Sequence, residues 1–285
     1  MSNSSTVVTC YYRVPSKHSH DKYDQWITNF LSNIPCNLVI FTSHDLVDYI
    51  KNKRITLLEQ TIIIPIEFES LPLYNQYKHL WENQYIMDKQ KYSGRTIECY
   101  VLWNSKLDFL KKAIELNPFM SDKFIWNDIG CLRILDLPTI LKRQPDNNDS
   151  MNQPDNMTYV STISQIISQY PIYDNISRSK IDIVLLNPIQ HETQSVFIDE
   201  IHFSGAIFGG DKDSILKFYT LFYKTLDDHI QNNIFVGCDQ QTISSVYNKN
   251  KELFNCVTTN HLNHNIFNAD WIWFYLWIYY GIYNK

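Results

Sequence analysis

Short apolar, β-branched runs alternate with stretches of helical period along this chain, and no other feature restricts its fold as strongly. Residues 6–12 read as a strand. Tyr23, Trp26, Ile27, Phe30 and Leu31 follow at the i, i+3, i+4, i+7, i+8 spacing of one helix face. Further strands are expected at 37–42, 61–66 and 123–126, and helices at 45–51, 73–87 and 103–116. The last helix carries Leu107, Leu110, Ala113 and Ile114 on one stripe and stops at Asn117-Pro118. Then come a helix near 160–169 and strands at 181–186 and 195–201. A helix striped by Ile215, Phe218, Tyr219, Phe222 and Leu226 follows, with Asp211 or Asp213 as its N-cap, and another opens near Asp239. Alternating strands and helices predict an α/β fold with a mainly parallel sheet.

At 285 residues and 44% hydrophobic, the chain can bury a full core, as one large domain or two small ones. A net charge of −5 gives no basic footprint for nucleic acid. The six cysteines are dispersed with no CxxC pair, which argues against a structural zinc and for reduced, buried thiols. Residues 1–5 are polar and the apolar run after them is too short for a signal peptide, so the expected location is cytoplasmic. Near the end, 271–283 is an unbroken aromatic and apolar run apart from Gly281, shorter than the roughly 20 residues a membrane span needs. It reads as a buried final helix, with a peripheral membrane anchor as the alternative; no transmembrane span is expected. Residues 142–158 are polar and hold two Pro-Asp pairs, the composition of a mobile loop or lid.

Glycine is scarce, at 7 of 285 residues. Five of the seven fall in three short stretches: Trp126-Asn127-Asp128-Ile129-Gly130, Ser204-Gly205-Ala206-Ile207-Phe208-Gly209-Gly210, and Gly237-Cys238-Asp239-Gln240. In the first, Asp128 ends a buried strand. That is where α/β sheets bind ligands, and a carboxylate beside open backbone suits a hard cation and a diphosphate. The alternative is a turn aspartate capping the next segment. The second reads as a turn before a helix, either lining a ligand through backbone N–H groups or making a tight turn with no ligand. The third offers Asp239 as an N-cap or as a carboxylate facing positive charge at a sugar carbon, with Gln240 as a hydrogen-bond donor to a sugar or leaving-group oxygen. His261 and His264, three apart, are candidates to complete a metal site with Asp128.

In this order the three stretches resemble glycosyltransferases of the GT-A fold. Residues 204–210 look like the blood-group A/B-type retaining transferases, and Asp239-Gln240 like the pair of the glycogenin-like enzymes. More closely, the chain is similar to the HtrL/YibB family. The similarity lies in Val7-Val8-Thr9 with Tyr11-Tyr12-Arg13, in Ser16-Lys17-His18 with Tyr23 and Trp26, and in Trp103-Asn104-Ser105-Lys106 and Asn117-Pro118-Phe119. It continues through Trp126-x-Asp128-x-Gly130-x-x-Arg133 to Gly209-Gly210, spanning about residue 6 to about residue 250.

The resemblance implies a single GT-A-like, Rossmann-related domain built on a mixed, mainly parallel sheet flanked by helices, with a nucleotide-sugar half at 6–140, a flexible loop at 141–158 and an acceptor and catalytic half at 159–285. It implies a retaining glycosyltransferase that moves a sugar from a nucleotide-sugar donor, a UDP-sugar above others, to a glycan or glycoprotein acceptor with manganese or magnesium. Asp128 matches the metal position of the Asp-x-Asp motif, with Trp126 in place of the first acid. Arg13, Ser16, Lys17, Lys106, Asn127, Arg133, Ser204, Gly205, Ala206, Gly209 and Gly210 are the expected donor-binding residues, and Asp239 and Gln240 the catalytic ones. The alternative function is a non-catalytic nucleotide- or glycan-binding module on the same scaffold.

Overall fold

A computed structural model describes residues 4–133, 164–190, 196–197, 200–258 and 280. Seven strands form one sheet: β1 Ser5–Tyr11, β2 Asn37–Thr42, β3 Thr61–Pro65, β4 Lys123–Asn127, β5 Ile181–Leu185, β6 Phe203–Asp211 and β7 Phe254–Val257. Their order is β3-β2-β1-β4-β6-β5-β7. Every pairing is parallel except those of β6, which runs against β4 and β5. The expected mixed, mainly parallel sheet flanked by helices is present.

The alternation of side chains along each strand divides the core. Val7, Leu38, Ile40, Ile125 and Ile207 face α1 (His20–Asn33) and α2 (Val47–Lys53), where Ile27, Phe30, Leu31 and Ile50 meet them. Val8, Val39, Phe41, Phe124, Trp126 and Phe208 face the other way, onto α3 (Pro72–Met87), α4 (Ile97–Asn104), α5 (Lys106–Leu116), α6 (Lys212–Gln231) and α7 (Asp239–Lys249). Strands buried on both faces read as continuous apolar runs, which is why β1, β2 and β4 were legible.

The connection from β1 to its neighbour β2 passes through α1 on one face. The connection that returns from β3 to β4 runs through α3, α4 and α5 on the other. β1 and β4 are adjacent and parallel, so their carboxyl ends flank a topological switch point, the crevice where such sheets bind ligands.

Three expectations change. The strand expected at 195–201 is absent among the described residues there, and residues 204–210, expected as a glycine turn, lie within the strand β6. The expected helix 103–116 is two helices broken at Ser105. The break is held by the Tyr223 hydroxyl, which donates to the Asn104 carbonyl at 2.9 Å and accepts from the Asp108 N–H at 3.2 Å. The 142–158 loop lies outside the described residues, as does all of the 271–283 run except Tyr280, which is buried and whose hydroxyl donates to Asp182 at 3.2 Å. Among the described residues no helix is long and apolar enough to cross a membrane. All six cysteines are thiols rather than half-cystines.

Candidate active site

Three charged side chains from three parts of the chain converge beyond the carboxyl end of β4. Asp128 directly follows that strand, and its N–H extends the ladder by donating to the Ala206 carbonyl of β6 at 2.7 Å. Among the described residues its side chain caps no helix. The Trp126 indole N–H donates to Asp128 Oδ1 at 2.7 Å, and residues two apart on a strand share a face, so the tryptophan is placed to orient the carboxylate. Trp126 is fixed in turn by stacking on Phe109 of α5, with centroids 6.0 Å apart and rings 14° from parallel.

Asp239 is the first residue of α7, where a carboxylate complements the helix dipole. Cys238 occupies the cap position, and Asp239 makes no capping bond. Its carboxylate instead lies against Gly205: a Cβ on Gly205 would stand 2.5 Å from Asp239 Oδ2 and 3.1 Å from Oδ1. With the carboxylate in this position it occupies the space a side chain on Gly205 would need.

Lys106 joins the two acids. Its Nζ lies 2.8 Å from Asp239 Oδ2, 3.4 Å from Asp128 Oδ1 and 2.8 Å from the Gly205 carbonyl. Lys106 and Asp239 retain only 7% and 6% of their side-chain exposure, whereas Asp128 retains 38% and opens to solvent. A lysine in the first turn of a helix opposes the dipole, and burial alone would push its ammonium towards neutrality. The carboxylates of Asp128 and Asp239 outweigh that burial and hold the Lys106 pKa above its ordinary value. Desolvation in the crevice raises the Asp128 carboxyl, opposed by Lys106 and the Trp126 N–H and reinforced by Asp239. Lys106 thus stands between two acids.

The remaining residues singled out from the sequence fall into groups. Asn127 is buried beneath Asp128, its amide donating to the Asp128 carbonyl at 3.0 Å. Ser204 is buried and accepts from the Ala206 N–H at 3.3 Å. Gln240 does not orient Asp239: its amide donates to the Phe203 carbonyl at 2.5 Å and fastens α7 to the start of β6. Gly209 and Gly210 pair with Ile125 and Phe124 in the interior of the ladder, towards the opposite end of β4 from Asp128. They serve the close approach of neighbouring strands; a Cβ on Gly209 would stand 2.7 Å from the Phe124 carbonyl oxygen.

Arg13, Ser16 and Lys17 lie on the segment leaving β1. Arg13 sits 5.2 Å over the Tyr49 ring, and the Lys17 backbone packs on Gly94, whose φ of +86° only glycine adopts readily. Arg133 donates to the Gly130 carbonyl at 3.1 Å and lies 4.4 Å over Trp26. His261 and His264 lie outside the described residues.

Two features go beyond what the sequence predicts. Trp126 stands where a first acid is expected, and its i, i+2 relation to Asp128 brings its N–H to that carboxylate. Lys106 is expected among the donor-binding residues, yet Phe109, Leu110 and Ala113 stand three, four and seven residues on, which puts Lys106 on the buried stripe of its helix.

Divalent metal was the expected cofactor. Among the described residues no three His, Cys, Asp or Glu side chains converge. Asp128 nonetheless suits a hard cation that keeps several waters and takes phosphate oxygens, because Trp126 and Lys106 engage only Oδ1 and the carboxylate is partly exposed.

Residues 3–136 match the HtrL_YibB family, described as a bacterial protein of unknown function, so the resemblance drawn from the Trp126 block holds across the first four strands. Among solved structures, the apo form of mouse xyloside xylosyltransferase 1 is similar, with a TM-score of 0.46 and 11% identity, over 89% of this chain and 85% of that chain. No curated protein matches.

Proposed function

We propose that this protein transfers a sugar from a nucleotide-sugar donor, a UDP-sugar above others, to a glycan or glycoprotein acceptor, with retention of configuration and with manganese or magnesium. The observation that carries the reading is the Asp128–Lys106–Asp239 cluster at the β1/β4 switch point, with Gly205 backbone pressed against Asp239. An α/β sheet binds nucleotides at this crevice. Two carboxylates there, one half open and one buried, meet the two charge demands of glycosyl transfer.

Asp128 is the residue that would hold the metal, which when bound supplies a Lewis acid to the departing diphosphate. The chain's own contribution lies around the sugar. Asp239 sets negative charge where the anomeric carbon becomes oxocarbenium-like, and burial strengthens that charge by excluding water. Trp126 and Lys106 fix the Asp128 carboxylate so that it does not reorganise as the donor arrives. The exposed Arg133 and Lys17, near the ends of β4 and β1, are the cations proposed to approach the phosphates.

Titration calorimetry with UDP- and GDP-sugars, with and without manganese, tests this reading. Donor binding strengthened by manganese and weakened in Asp128→Ala is expected. No heat at millimolar donor would refute it, and binding without any turnover on long incubation would make the protein a binding module on the same scaffold.

A further inference from the structure

Resting on the glycosyl-transfer reading, we propose that Lys106 is a positioning residue: its ammonium fixes Asp239 at the reacting sugar and makes no contact with the donor diphosphate.

A lysine ammonium has three N–H donors and no acceptor. At Lys106 three acceptors surround Nζ, the Gly205 carbonyl at 2.8 Å, Asp239 Oδ2 at 2.8 Å and Asp128 Oδ1 at 3.4 Å. They belong to β6, α7 and the end of β4, so one ammonium fastens three elements. The Gly205 carbonyl takes a hydrogen bond and the two acids make charge contacts, so these three oxygens enclose the ammonium, and with the side chain 7% exposed it is not presented to a phosphate.

The two acids depend on Lys106 unequally. Asp128 has a second donor, the Trp126 N–H at 2.7 Å, and is open to water. Asp239 has neither: Lys106 is its one side-chain partner among the described residues, and Oδ2 has no hydrogen bond of good geometry beyond that charge contact. Its carboxylate also lies in contact with Gly205, which Lys106 grips through the carbonyl. Lys106 therefore sets both the position of Asp239 and that of the backbone it presses on. Without Lys106, Asp239 is a buried charge with no counter-ion and nothing to hold its orientation.

Four variants separate positioning from phosphate contact: Lys106→Met, Lys106→Arg, Asp239→Asn and the double Lys106→Met/Asp239→Asn. For the nucleotide sugar that the wild type turns over, Lys106→Met is expected to lower kcat about 100-fold with KM changed less than about threefold. Calorimetric affinity for UDP and GDP is expected to stay within about threefold of wild type. The double variant should be no slower than Asp239→Asn alone, because the lysine acts through that carboxylate. Lys106→Arg, larger and planar, should recover charge without geometry and remain slow.

Should Lys106→Met not fold, the double variant, which leaves no unpaired acid at Asp239, is compared with Asp239→Asn for UDP and GDP affinity, and equal affinity is expected. A loss of about tenfold or more in UDP or GDP affinity on removing the lysine overturns the proposal and makes Lys106 a phosphate ligand. Additive kcat losses in the double variant also overturn it. A wild type that neither binds nucleotides nor turns over any donor instead overturns the glycosyl-transfer reading, and this proposal falls with it.

Discussion

At the scale of single residues, the glycines divide by what lies against them. A methyl group on Gly205 meets a carboxylate oxygen of Asp239, which can swing aside. On Gly209 it meets the Phe124 carbonyl, which is fixed in the ladder. Gly205→Ala is therefore expected to cost turnover more than stability, displacing Asp239 from Lys106. Gly209→Ala is expected to cost stability, about 1–3 kcal/mol as in other overpacked interiors. Thermal unfolding set beside donor turnover for the two variants checks this; equal stability losses would contradict it.

Arg54 makes a second residue-scale case. It is fully buried with no carboxylate partner among the described residues, and its guanidinium donates to the Leu31, Ile34 and Cys36 carbonyls at 2.8–3.0 Å and to the Thr61 hydroxyl at 2.6 Å. It thereby satisfies the orphan carbonyls at the end of α1, where a cation also suits the dipole. Lysine cannot reproduce the fork, so Arg54→Lys should lower stability by about 3 kcal/mol in urea unfolding. Asp128 and Asp239 were visible in the sequence because a strand end and a helix start each expose one acid. The place of Lys106 on a buried stripe is readable from its spacing, but neither the partners of Arg54 nor the joining role of Lys106 is, because a long cation gives no sign in sequence of which buried oxygens its head reaches.

At the scale of elements, β6 explains where local reading failed. Three glycines in nine residues weaken a strand by propensity and suggest a turn. The neighbours decide otherwise, since β4 and β5 crowd the strand so closely that Gly209 and Gly210 have no room for side chains. That constraint is tertiary and cannot be read along the chain. The cap after β6 was legible: Asp211 accepts from the Ser214 N–H at 2.9 Å and also from the Ser179 N–H at 2.6 Å. Partial burial would raise its pKa, but the bonds from Ser214 and Ser179 outweigh it and the carboxyl is held below its ordinary value. A depressed carboxyl stabilises the fold above its unfolded pKa and loses that contribution as pH falls through its folded one. Asp211→Ala should thus cost about 1 kcal/mol at neutral pH. The gap to wild type should narrow below about pH 4, as denaturant unfolding at two pH values would reveal. A gap independent of pH would contradict the assignment.

At the scale of the whole molecule, the alternation of strands and helices fixed where chemistry could sit before any residue was assigned to it. β1 and β4 run side by side with their connections on opposite faces, so a crevice opens at their carboxyl ends. Asp128 reaches it from the end of β4, Lys106 from the start of α5 and Asp239 from the start of α7, the two acids more than a hundred residues apart in sequence yet joined through one ammonium. The central claim is that Asp239 acts on the reacting sugar while Asp128 serves donor binding. The most direct measurement is nucleoside-diphosphate release from the bound donor by wild type, Asp239→Ala and Asp128→Ala, with donor affinity measured in parallel. Asp239→Ala is expected to bind donor within about threefold of wild type and to lose about 100-fold or more in turnover, whereas Asp128→Ala loses binding. Equal losses of binding in the two variants, or turnover unchanged in Asp239→Ala, would contradict the account.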